Sequence, residues 1–115
     1  MAMIIKRAAD IRTEPLDDVG DGKLNIVDLI GRPEGAPLTA GFVEIWKAAP
    51  VEFEYDDDCA VCFMLEGDVI LDEAGTLDRL DPGDVVFVPQ QSGLKISWHT
   101  GSYGKFFFVT YPHWR

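Results

Sequence analysis

Histidine and cysteine each occur only twice in 115 residues, and basic residues are outnumbered, with 10 Lys and Arg against 20 Asp and Glu. Cys59 and Cys62 are too few for a disulfide scaffold and fit a reducing compartment in which thiols stay free. The formal charge of −10 repels a phosphate backbone and an anionic membrane face, so neither nucleic acid nor membrane is expected as a partner. No apolar run approaches the length of a membrane span. The first five residues are mostly apolar but are cut short by Lys6 and Arg7, too soon for a signal peptide, and a cytoplasmic location is expected. A Gly-rich phosphate loop, a Ser-His-Asp order and an HExxH helix are all missing.

What the chain does have is the makings of one soluble domain: 47% hydrophobic residues and enough length to bury about two-thirds of the surface its unfolded form exposes. Val-, Ile- and Phe-rich runs at 24–30, 41–47, 51–55, 60–65, 69–72, 76–80, 85–88, 94–99 and 105–111 predict strands. Between them lie Gly31-Arg32-Pro33, Glu66-Gly67-Asp68, Asp81-Pro82-Gly83-Asp84, Ser92-Gly93 and Gly101-Ser102-Tyr103-Gly104, which supply the residues tight turns require. Turns about every ten residues without a confident helix predict an all-β sandwich or barrel filling residues 1–115, with a less regular N-terminal extension over 1–23.

Two stretches narrow this fold. Phe63-Met64-Leu65-Glu66-Gly67-Asp68-Val69 resembles the hairpin that ends the first cupin motif, and Asp81-Pro82-Gly83-Asp84-Val85-Val86-Phe87-Val88-Pro89 resembles the strand that opens the second. The resemblance implies the cupin double-stranded β-helix, the RmlC-like jelly-roll barrel. It also implies where a metal would sit: the first-motif ligand positions fall on Glu54, Asp56 and Ala60, and the last on Leu94. A one-residue insertion would shift the first set to Phe53, Tyr55 and Cys59. Neither set resembles a cupin metal site, and alternation turns His99 away from Leu94, Ile96 and Trp98, so no metal and no other cofactor is expected. Gly41-Phe42-Val43-Glu44, Cys62 to Gly67, Gly83 to Pro89 and Phe108-Val109-Thr110-Tyr111-Pro112 are similar to the family of the ethanolamine utilisation protein EutQ, over roughly residues 41 to 114. Members of that family also lack the metal histidines. The resemblance implies ethanolamine catabolism and an acetate kinase activity, but Ala60 departs from the acidic residue that relatives tend to carry.

Several side chains are candidates for chemistry. Glu54 and Asp56, two apart on a strand, form either an inward-facing acid–base pair or the solvated, charged edge of a hairpin. Glu44, flanked by Phe42 and Trp46 on one face, suits an amine or a proton transfer, or is a surface glutamate beside core aromatics. The spacing of Cys59 and Cys62 turns them to opposite sides of a strand, which places Cys62 in the barrel and opposes a redox or zinc pair. Trp98, Tyr111 and Phe107 form either a ligand wall or plain core.

Two functional classes fit: a metal-free enzyme of small amine or carboxylate metabolism with Glu44, Glu54 or Asp56 as acid or base, and a non-catalytic cupin that binds a metabolite or serves an assembly. In either case the expected ligand is a small polar molecule, amine-bearing, held by Glu44 with Glu54 or Asp56 and by Trp46, Cys62, Trp98 and Tyr111. The expected oligomer is a homodimer, because apolar strand edges favour cover by a second copy.

Overall fold

The turn residues place the chain reversals. Gly67, at the end of a strand, and Gly75, Gly83 and Gly93, between strands, all sit at positive φ, where a side chain would be strained. In the computed structural model, which describes residues 3–16, 23–47 and 50–115, ten strands result. They are β1 (Glu14–Pro15), β2 (Lys23–Ile30), β3 (Thr39–Trp46), β4 (Val51–Glu54), β5 (Cys59–Gly67), β6 (Val69–Glu73), β7 (Thr76–Leu80), β8 (Val85–Val88), β9 (Lys95–His99) and β10 (Tyr103–Tyr111). Nine coincide with the predicted runs. The tenth, β1, pairs Glu14 with Ile26 and Pro15 with Asn25, so part of the expected N-terminal extension joins the sheet. Its residues 17–22 lie outside the described residues.

The strands form two antiparallel sheets. One runs β1-β2-β3-β10-β5-β8 and the other β4-β9-β6-β7. Their inner faces enclose the core, as a jelly roll requires. Inward residues line up in rows across the larger sheet. The first row, Ile26–Val43–Phe106–Met64, is bulky and apolar. The second joins Gly41, Phe108 and Cys62, and the third joins Thr39, Thr110 and Ala60. Side-chain volume therefore falls and polarity rises toward one end of the barrel. Across the gap Trp98 stacks on Phe106, ring centroids 4.9 Å apart, tying the sheets together. No helix among the described residues is long and apolar enough to cross a membrane.

Candidate functional site

The thinning of the rows leaves a cavity of ≈ 170 Å³ between the sheets. Two small residues make the space, because β5 turns Ala60 and Cys62 inward while the larger Val61 and Phe63 point out. Phe53 and Trp98 from the smaller sheet and Phe106 and Phe108 from β10 form much of the apolar wall. Trp114, beyond β10, also lines the cavity. Its indole N–H donates to Asp28 Oδ1 at 2.9 Å, and Arg115 holds the other Asp28 oxygen at 2.8 Å.

Polar groups enter this wall at few points. Asp58 precedes β5 by one residue, on the inward alternation of Ala60 and Cys62, and is 9% exposed. Thr110 is the register partner of Ala60 and is 6% exposed, so the two groups reach the same end of the cavity from neighbouring strands. Four polar or charged residues are buried among the described ones. Thr39 is hydrogen-bonded to His113 at 2.9 Å, and the Thr100 hydroxyl donates to Asp68 at 2.8 Å. The two that line the cavity differ: Thr110 Oγ1 has no partner, and no hydrogen bond or ion pair to the Asp58 carboxylate is found among the described residues. Burial, with a smaller contribution from Asp57, pushes the Asp58 carboxyl up to about 6.

Two other cavity groups, Cys62 and Tyr55, are neutral near pH 7. Burial pushes the Cys62 thiol up to about 12. The Tyr55 phenol is also raised by burial, and its oxygen accepts the Trp98 indole N–H at 3.1 Å, leaving its own O–H free to donate. Asp58 is thus the cavity acid whose protonation is poised to change near neutrality. Among the described residues, no group of three His, Cys, Asp or Glu is placed to hold a metal ion.

The residues expected from sequence divide. Glu54, Cys62 and Trp98 line the cavity. Glu54 sits exposed on β4 with Lys95 at 3.6 Å. Glu44 and Trp46 do not line it, because β3 turns Val43 and Ile45 into the core and its even-numbered residues to the outer face. There the Glu44 carboxylate accepts hydrogen bonds from Thr13 and Tyr103, both at 2.6 Å, and Trp46 packs on Tyr103. Burial raises the Glu44 acid, but the two hydrogen bonds and Lys105 outweigh it and hold it below its ordinary value. Asp56 lies past the end of β4, exposed, and accepts the Gly93 N–H as a loop brace. Tyr111 is 58% exposed, and Phe107 faces outward against Phe42. The polar cavity groups that the sequence reading passed over are Tyr55, Asp58 and Thr110. Once Cys62 is placed inward, alternation back through Ala60 leads to Asp58.

Two facing antiparallel sheets around a lined cavity give this chain the cupin barrel fold. A Cupin 2 conserved barrel domain protein from Salinispora arenicola superimposes with a TM-score of 0.72 at 16% identity, covering 96% of this chain and 90% of its own. Within that class the chain belongs to the ethanolamine utilisation protein EutQ family, whose model matches residues 4–115. An ethanolamine utilization protein Q from Salmonella typhimurium LT2 has the same fold, with a TM-score of 0.82 at 22% identity over 92% of this chain and 83% of that one. The acetate kinase EutQ of Salmonella typhimurium LT2 is 29% identical over 91 residues, 77% of this chain. The match spans only 37% of that protein's length.

Proposed function

We propose that this EutQ-like cupin is a metal-free receptor for a small metabolite, which it takes into the barrel cavity. The observation that carries the reading is the buried Thr110 hydroxyl, left without a partner among the described residues where the cavity is most polar. Buried hydroxyls are nearly always hydrogen-bonded, and an orphan costs about 1–3 kcal/mol unless something binds it. A ligand oxygen or nitrogen would supply that bond. The volume of ≈ 170 Å³ limits the occupant to a handful of heavy atoms, below the usual range of about 300–1,000 Å³ for ligand pockets.

Acetate kinase activity, the name of the Salmonella relative, is a weaker reading of this cavity. Phosphoryl transfer draws on cationic groups around the phosphates, and none of the described lining residues is basic. An acid–base reaction is the better enzymatic alternative, since Asp58 titrates near the range a general base needs.

Thr110→Val tests the receptor reading. It keeps the shape and removes the hydroxyl, so the empty protein is expected to gain about 1 kcal/mol, a few degrees in Tm. Binding of small polar fragments, followed by calorimetry, is expected to weaken at least tenfold. A destabilised variant whose fragment binding is unchanged would mean that the hydroxyl already has a partner and serves only the fold.

A further inference from the structure

We infer that the cavity takes its ligand as an organic cation, a primary ammonium on a compact apolar body, with Asp58 as counter-ion and Thr110 Oγ1 as a hydrogen-bond acceptor. This assignment rests on the cavity being the ligand site and adds the charge and class of the occupant.

The donors of the cavity wall are largely spent. The Trp98 indole N–H is given to Tyr55 and the Trp114 indole N–H to Asp28. What remains is the Tyr55 and Thr110 hydroxyls, both neutral, beside a carboxylate. An anionic ligand would find no positive charge in the described lining and would face Asp58 at close range. A cation finds the reverse. Among the described residues Asp58 has no hydrogen-bond or ion-pair partner, and a largely buried carboxylate in that state either takes a proton or recruits a positive charge. An ammonium group supplies the charge together with three N–H donors, enough for Asp58 and for the orphan oxygen of Thr110.

The rest of the wall suits the same occupant. Six of the thirteen lining residues are aromatic: Phe53, Tyr55, Trp98, Phe106, Phe108 and Trp114. Aromatic ring faces attract cations, more strongly where water is excluded. Trp98 and Phe106 give one face to each other and Trp114 gives one to Arg115, but Phe53, Tyr55 and Phe108 make no such pairing among the described residues. Glu54, the other acid in the lining, is ion-paired with Lys95, which leaves Asp58 as the lining acid without a counter-ion among the described residues.

Three probes of matched shape separate charge from fit: isobutylamine, isobutanol and isobutyrate, each titrated into the full chain by calorimetry at pH 7.5. Isobutylamine is expected to bind at least tenfold tighter than isobutanol, with isobutyrate not binding. Asp58→Asn is expected to weaken isobutylamine at least tenfold and to leave isobutanol unchanged. Should that variant fail to fold, the wild type carries the test alone: isobutylamine affinity should fall as pH drops below about 6 while isobutanol affinity holds, because Tyr55 and Cys62 stay neutral throughout. If isobutanol or isobutyrate binds as tightly as the amine, or if the amine ignores both Asp58→Asn and pH, the ammonium assignment is overturned and the receptor reading stands. If none of the three binds, or if Cys62→Phe, which fills the cavity, leaves the amine's binding intact in the folded variant, the cavity itself is not the site.

Discussion

The Asp58 carboxyl, raised by burial from its ordinary 3.8 to about 6, takes up its proton in the folded chain before it would in the unfolded one. Between those two values the folded state binds the extra proton, so stability falls as pH rises through the window and the penalty is complete above it. Asp58→Asn removes that penalty. It is expected to stabilise the protein by roughly 1–3 kcal/mol at pH 8 and to have no effect near pH 4, read from urea denaturation at each pH. Glu44 has the opposite sign. Its acid is held below the ordinary value of 4.5, so its stabilisation is present above that pH and is lost as pH falls through the lowered value. Glu44→Gln is expected to cost about 1–2 kcal/mol by weakening the bonds from Thr13 and Tyr103. It should also speed amide exchange in the segment around Thr13 without changing ligand binding. Glu44 reads from sequence as a pocket acid because a carboxylate between Phe42 and Trp46 looks the same on either face of a strand. The outer sheet face here is itself aromatic, so the neighbours of Glu44 do not reveal its side.

The strands themselves were legible because their boundaries are written in Gly, Pro and Asp, whose backbone preferences act locally. Facing was not, and the reason lies in β5 and β10. Phe106-Phe107-Phe108-Val109 and Ala60-Val61-Cys62-Phe63-Met64 are apolar at every position, so period-two alternation carries no signal in either. A bulge compounds this: Lys105 pairs with Glu66 but Phe106 pairs with Met64, leaving Leu65 as an extra residue. Counting by twos along β5 from Gly67 therefore slips by one, while β10 alternates without a break and turns Thr110, not Tyr111, into the barrel. Gly67 itself closes the β5–β6 hairpin at a φ of 71°, and a Cβ there would collide with the Tyr103 carbonyl oxygen. Gly67→Ala is expected to cost about 3 kcal/mol or more, seen as a drop in the urea midpoint, because both the backbone conformation and the β5–β10 contact would have to yield.

At the scale of the whole molecule, one outer sheet face is apolar. The outer face of the β5–β8 ladder exposes Val61, Phe63, Val85 and Phe87, joined by register as Val61–Phe87 and Phe63–Val85. A contiguous patch of a few hundred Å² is the size at which surfaces become functional, and two copies meeting there would bury on the order of 1,000 Å². The strand patterning led to the expectation of a homodimer, and this face is where a second copy would sit. Light scattering at tens of micromolar is expected to give twice the chain mass, and Phe87→Glu is expected to give the monomer. A wild-type monomer would assign the patch to some other contact.

The place of β10 between β3 and β5, at the centre of the larger sheet, has a consequence for synthesis. Strands made early in translation, β3 and β5, have no direct ladder to each other and wait for a partner that is encoded after every other strand. While the ribosome is still making β9, each of them presents a row of unpaired backbone groups, the template on which stray strands add. The larger sheet cannot close until Tyr111 has left the exit tunnel, so its folding follows translation of the domain and cannot accompany it.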